Sequence, residues 1–214
     1  PGTGRYVTYP AKCHKHPVKD DQKFHHDGWF FEGVWNRAFT KQVETVLESV
    51  GCPVTVVSDP WRDVALTTRA NRANAIATQY KYALFVSNHA NAANGQARGW
   101  EVYTTPGQKR SDAVATDLHS LVGKNMKGKI YNLRTDFATD GDPDKEAYFT
   151  VIVKVRYCPA LLVEWGFFDN YEDACLLMDP EWMLLAAKCE AQMIINYANT
   201  LGAEFADVIP QVKK

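Results

Sequence analysis

Tyr82-Ala83-Leu84-Phe85-Val86, followed at once by Ser87-Asn88-His89-Ala90-Asn91-Ala92, is the stretch that decides the fold. The first five residues form a short apolar run, the pattern of a buried strand. The next six turn polar and lead into a glycine-containing loop, Asn91 to Gly99. His89 is therefore expected where a strand hands over to a loop. In an α/β fold the carboxyl ends of the strands are where ligands and reactive groups gather. Ala160-Leu161-Leu162-Val163 repeats the arrangement, with Glu164 as the first charged residue after an apolar run. An imidazole at one strand end and a carboxylate at another suggest one site.

Working outward, the pattern alternates. Phe31, Val34, Trp35, Ala38, Phe39, Val43, Val46, Leu47 and Val50 recur at helical spacing, and Gly51 ends that helix. Further helices are expected from about Val64 to Tyr80, over Ser111 to Val122 with Ser111 or Asp112 as N-cap, over Tyr171 to Met178, and from Pro180 to Leu201. Strands are expected at Tyr6 to Tyr9, Pro53 to Val57, Trp100 to Thr104 and Ile130 to Leu133; Tyr148 to Val155 fits strand or helix. Strands alternating with helices predict an α/β domain built on a single doubly wound, mostly parallel sheet flanked by helices. Residues 1–30 are expected to be an irregular loop region, 135–145 a loop, and 203–214 a loosely ordered tail.

Composition narrows the class. With 214 residues the chain can bury one sizeable core. A net charge of −1 and no basic stripe argue against nucleic acid as the main partner. No apolar run has the length of a membrane span, and the amino terminus shows no signal-peptide pattern. Cys13, Cys52, Cys158, Cys175 and Cys189 are odd in number and match no zinc-knuckle or redox spacing, so free thiols are expected.

Three groups carry candidate chemistry. Glu32 opens the first long helix, where the helix dipole favours an acid with or without a further role. His89 is a hydrogen-bonded histidine or a ligand. Glu164, directly after an apolar run, needs a cation, a metal-bound water or a proton, because a buried carboxylate without a partner is costly. Catalytic zinc unites them: about three protein ligands, commonly His and Glu, leave a position for water. On that reading Glu32 and His89 are ligands and Glu164 moves the proton, with Asn88 or Asn91 orienting ligands or substrate. A cysteine hydrolase using Cys158 with His89 is a rival, but Cys158 precedes Pro159 at a strand start, a poor setting for an activated thiolate.

Taken in order, these pieces resemble the zinc-dependent N-acetylmuramoyl-L-alanine amidases of the AmiC/CwlV type, found in bacteria and in phage endolysins. The family's S-x-H-x-N-A stretch is matched by Ser87 to Ala92, its G-x-E-x-Y by Gly99 to Tyr103, and its P-A-x-L-V-E-x-G-F-x-x-N by Pro159 to Asn170. Glu32 before Asn36, and the acidic Asp173, also follow the family pattern. The resemblance covers nearly all of the chain and implies one catalytic domain over 1–214. It implies Glu32 and His89 as zinc ligands, Glu164 as the catalytic acid and Asn91 on the substrate side. The implied substrate is peptidoglycan, a glycan strand with its stem peptide, cut at the amide between the muramic acid lactyl group and L-alanine. Such an enzyme is secreted, periplasmic or delivered to the wall by a phage. A peptidoglycan-binding protein that kept the groove and lost the metal is the alternative.

One departure stands out. The family's first ligand is a His in a P-G-H-G stretch, whereas this chain opens Pro1-Gly2-Thr3-Gly4. A threonine hydroxyl is a poor zinc ligand. Either Thr3 replaces the His, or a segment carrying it precedes this chain, or His14 or His16 takes the part. His25 and His26 stand close to Glu32 in sequence for that role.

Overall fold

The structure, a computed structural model, describes residues 12–17, 24–60, 62–107 and 109–209. Thr3 and the strand expected at Tyr6 to Tyr9 lie outside the described residues. Inside the stretch expected to be irregular, two short strands pair antiparallel: β1 (Cys13–Lys15) and β2 (Trp29–Phe31), with His14 opposite Phe30. The chain then runs α1 (Glu32–Glu48), α2 (Leu66–Ala77), β3 (Phe85–Asn91), β4 (Glu101–Thr104), α3 (Lys109–Asn125), β5 (Lys145–Glu146), α4 (Thr150–Val153), β6 (Ala160–Phe167), α5 (Tyr171–Leu177) and α6 (Pro180–Thr200).

The main sheet has the order β3-β6-β4-β5. β3 runs parallel to β6 and β5 parallel to β4, while β4 meets β6 antiparallel. This is the expected mostly parallel sheet with helices on both faces. Side chains alternate across a strand, and the two faces differ. Leu161, Val163 and Trp165 of β6, with Ala90 and Val102, join Trp35 and Phe39 of α1, Leu118 of α3 and Ala187 of α6 in the larger core. Phe85, Ala160 and Leu162 face the other way, toward Ala73 of α2 and Ile152 of α4. That second layer is thinner, and Ser87, His89, Glu101, Tyr103 and Glu164 of the strands point to its side.

Local chemistry explains the helix starts. Asn170 accepts from the backbone N–H groups of Glu172 and Asp173, capping α5. Asp179 does the same for Glu181 and Trp182, with Pro180 in the first turn of α6. Several expectations need correction. Pro53 to Val57 forms no strand; it has no regular secondary structure and no ladder partner among the described residues. Ile130 to Leu133 contributes only an isolated bridge from Leu133 to Trp100. α3 begins at Lys109, before the expected caps; Ser111 Oγ instead accepts from Ala160 N at 3.1 Å. Residues 203–209 are tied down: Gln192 Oε1 accepts from the N–H groups of Val208 and Ile209, and Phe205 packs on the core.

Candidate active site

β3 and β6 continue past the points where the sequence suggested they end. His89 and Glu164 lie within the strands and not beyond them, because a polar residue on the thinly covered face costs the ladder nothing. The register aligns them: His89 stands opposite Glu164 across β3–β6, and Glu164 opposite Glu101 across β6–β4. Residues in register share a face. A row His89–Glu164–Glu101 therefore crosses three strands on the side away from the larger core.

Glu32, the first residue of α1, reaches the row at edge strand β3. Its Oε1 lies 2.8 Å from His89 Nδ1 and accepts from Asn36 Nδ2 at 3.0 Å. Lys12 Nζ approaches Oε2 at 3.6 Å. On the far side of the imidazole, Ser87 Oγ is 3.0 Å from Nε2 and orients the ring. Burial alone pushes the Glu32 carboxyl up, but the His89 hydrogen bond and the charges of His89 and Lys12 outweigh it and hold it below the usual carboxylate range.

Glu164 is in the opposite condition. Its Oε2 is shielded from solvent with no hydrogen-bond partner among the described residues. Burial first, then the nearby charges of Glu32 and Glu101, drive its pKa well above the ordinary value. Glu101, 2% exposed, carries the charge balance of this end of the row. It accepts from Arg134 Nε and Lys145 Nζ at 2.6 Å each, from Asn91 Nδ2 at 2.7 Å and from Tyr103 OH at 2.9 Å. Sequence reading found the motif that holds Glu101 but not this role; a charged residue between Trp100 and Val102 in a strand was the available signal.

The donor set suits a cation. The His89 Nδ1 and Glu32 Oε1 atoms lie 2.8 Å apart, and two buried acceptors, Glu164 Oε2 and Asn36 Oδ1, lack donors among the described residues. An imidazole and a carboxylate are donor types that zinc takes. The described histidines of the amino-terminal region do not complete the set. His16 Nε2 donates to the Phe168 carbonyl at 2.7 Å, and the His14 ring stacks edge-on against His16 at 4.7 Å. His25 Nδ1 accepts from Phe31 N at 2.8 Å, and burial lowers its pKa to about 4. Among the described residues, the group of His, Cys, Asp and Glu with three donor atoms within 4.8 Å of one another is elsewhere, at Asp112, Asp140 and Asp142.

A cavity of about 650 Å³ opens beside Glu32 and His89, between α1 and residues 53–60, 62 and 63. Asn91, expected on the substrate side, is held at the row by Glu101, while its Oδ1 accepts from Ala92 N. Asn88 points through the sheet, donating to buried Glu190 Oε1 and accepting from Trp165 Nε1. Cys158 is buried and its thiol is pushed up to about 11 by that burial, a setting opposed to the exposed, activated thiolate that a cysteine hydrolase uses.

Comparison with known proteins adds a family. A family profile described as N-acetylmuramoyl-L-alanine amidase matches residues 18–196. The chain is 34% identical over 121 residues to an uncharacterized cell wall amidase of Bacillus anthracis, a match covering 56% of this chain and only 22% of that protein. The fold is similar to the catalytic domain of the amidase CwlV from Paenibacillus polymyxa, with a TM-score of 0.62, 23% identity, and 79% and 86% of the two chains covered. It is also similar to an N-acetylmuramoyl-L-alanine amidase of Clostridium difficile 630 (TM-score 0.66, 20% identity, 87% and 93% covered). A third similar fold is the amidase AmiC2 of Nostoc punctiforme (TM-score 0.62, 25% identity, 86% and 93% covered).

Proposed function

The chain belongs to the N-acetylmuramoyl-L-alanine amidase family, and from that premise we propose that it hydrolyses the amide between N-acetylmuramic acid and L-alanine in peptidoglycan, with zinc as cofactor. The observation that carries this reading is the row His89–Glu164–Glu101, with Glu32 against His89 and a protonatable, unpartnered carboxyl oxygen on Glu164. Glu32 and His89 would hold the ion, with Ser87 and Asn36 fixing their orientation. Bound there, such an ion supplies Lewis acidity, lowering the pKa of water from near 16 to about 7.

The chain's own groups do the rest. Glu164 Oε2 takes a proton from the attacking water and returns it to the nitrogen of the departing L-alanine. Its raised pKa suits both halves of that exchange. Glu101 keeps Arg134 and Lys145 at the row, so that negative charge developing in the reaction meets fixed positive groups. Asn91 lines the substrate side, with its amide held by Glu101. The cavity between α1 and residues 53–60, 62 and 63 takes the substrate's flank. Among the described residues no helix is long and apolar enough to cross a membrane. The proposed substrate lies outside the cytoplasmic membrane, so the protein reaches it by secretion or by release during phage lysis.

The test is digestion of purified peptidoglycan with zinc present, reading new amino-terminal alanine. Release that disappears with His89→Ala and with chelation supports the reading. A second reading, a wall-binding protein without turnover, is favoured by the two-donor set of the described residues. Binding to insoluble peptidoglycan with no release at saturating zinc would select it and overturn the first.

A further inference from the structure

The acidic recess at Asp112, Asp140 and Asp142 lies away from the row, on the opposite face of β4. Asp112 is in the first turn of α3, and the other two stand in Asp140-Gly141-Asp142-Pro143-Asp144, the loop that leads into β5. We propose that this recess is a calcium site, with carboxylate ligands from Asp112, Asp140 and Asp142. Their oxygens lie within 4.8 Å of one another, a spacing that calcium bonds of about 2.3–2.6 Å can span.

Clustered surface acids alone would mean little. Here two of the carboxylates are buried, each with one oxygen that lacks a partner among the described residues. Asp112 is 8% exposed and lines the recess, and its Oδ1 has no partner among the described residues. Asp144, 1% exposed, adds an unpartnered Oδ1 directly behind. Its other oxygen accepts from Thr104 Oγ1 at 2.7 Å. The ion pairs formed among the described residues include none of Asp112, Asp140, Asp142 or Asp144. Leaving the buried oxygens of Asp112 and Asp144 unpaired beside two further aspartates is costly, and a bound cation relieves it. The mutual repulsion has a second trace: burial and the neighbouring aspartates push the Asp144 carboxyl up to about 8.

The donors are all hard oxygens, which excludes a thiolate- or imidazole-seeking metal. They come from a helix and an irregular loop, and calcium tolerates that geometry better than magnesium, which demands a near-octahedral shell. The site has a consequence for the other face. Lys145 follows Asp144 and points the opposite way, to Glu101. Glu146 also lines the recess and accepts from Gly107 N. A calcium ion binding the loop would thus brace the strand that delivers Lys145 to the row.

The inference does not depend on amidase activity, and its test does not read it. Calcium chloride is titrated by calorimetry into EGTA-treated, desalted protein with zinc held constant, and thermal unfolding is followed in parallel. The expected result is saturable binding with a dissociation constant at or below about 1 mM and a melting point raised by several degrees. Asp140→Asn, at the exposed end of the cluster, and Asp142→Asn should each weaken binding by about tenfold or more, while His89→Ala should bind calcium as the parent does. No heat and no thermal shift at ~10 mM calcium would overturn the proposal, as would undiminished affinity in the Asp140→Asn, Asp142→Asn double variant. Magnesium binding as tight as calcium would overturn the choice of ion.

Discussion

Asp173 offers the sharpest quantitative test of the frame that holds the row. It is 3% exposed in the first turn of α5. Its Oδ2 accepts from Gly99 N at 2.8 Å and Phe167 N at 3.1 Å, and its Oδ1 from Arg98 Nε at 3.1 Å. One carboxylate thus fastens the turn before β4 to the end of β6. Asp173→Asn keeps the shape and loses the charge. Its single oxygen can serve the two backbone N–H groups, but its amide then faces the Arg98 guanidinium. Losing one charge-assisted bond and weakening two others costs about 2–4 kcal/mol. Asp173→Ala leaves two buried N–H groups unpaired as well, about 3–6 kcal/mol. For a chain of this size each kcal/mol moves the melting point by about 2–4 °C. Glu172→Gln is the control, since it removes the same arginine's exposed ion pair, worth under about 1 kcal/mol. Urea unfolding of the three variants should give the order Ala, Asn, Gln from most to least destabilised. An alanine variant within about 1 kcal/mol of the parent would refute the argument.

Other outcomes follow from the same structure. Glu164→Gln should lower amide hydrolysis by about 10²–10⁴-fold while leaving the melting point equal or higher, because it removes a buried, unpaired carboxyl; a stable variant with parental turnover would remove Glu164 from the chemistry. Glu190 is buried, and that burial raises its pKa to about 7 against the hydrogen bonds of Asn88 and Trp165. Its folded pKa lies above its unfolded one, so the stabilising proton is fully present below about pH 4.5 and stability falls as pH rises from there to about 7, by up to roughly 3 kcal/mol. Glu190→Gln should flatten that slope, and a stability difference from the parent that is the same at pH 5 and pH 8 in urea melts would contradict it. Gly99 has a φ of +110°, and an added Cβ would sit 2.4 Å from the Asn132 carbonyl oxygen. Gly99→Ala should therefore cost more than about 2 kcal/mol by thermal unfolding.

The helices were the legible part of the fold. α1 and α6 bury residues at a spacing the sequence displays openly, and α6 adds a local cap in Asp179 with Pro180, so neither needs the rest of the molecule to be recognised. Segments whose state is decided by distant partners were not legible. Pro53 to Val57 is β-branched, yet the sheet closes at β3 and leaves it no ladder to join. Residues 148–155 allowed two readings because their apolar side chains serve a single turn of helix, α4, packed on the second layer. The tail looked loose because nothing in its own composition announces that the amide oxygen of Gln192, deep in α6, will take two of its N–H groups.

The candidate site divides along the same line. Glu32, His89 and Glu164 were legible because each breaks an apolar pattern, and an acid or imidazole placed there needs a partner. What the pattern could not supply is register, and register makes the row. Period-two alternation puts Ser87 and His89 on one face of β3, Glu101 and Tyr103 on the same face of β4, and Glu164 between them. The sequence invites the opposite inference, that a charge after an apolar run marks the strand's end. Glu101 was hidden for a related reason. Its charge is answered by Arg134 and Lys145, far along the chain, and without them a buried glutamate in a strand looks like an error. With them in place, burial first and then the charges of Glu32 and Glu101 push the Glu164 carboxyl above its ordinary range, while His89 and Lys12 hold Glu32 below it. Two carboxyls of one residue type are thus pushed in opposite directions within one site, the separation that the proposed roles of Glu32 and Glu164 require.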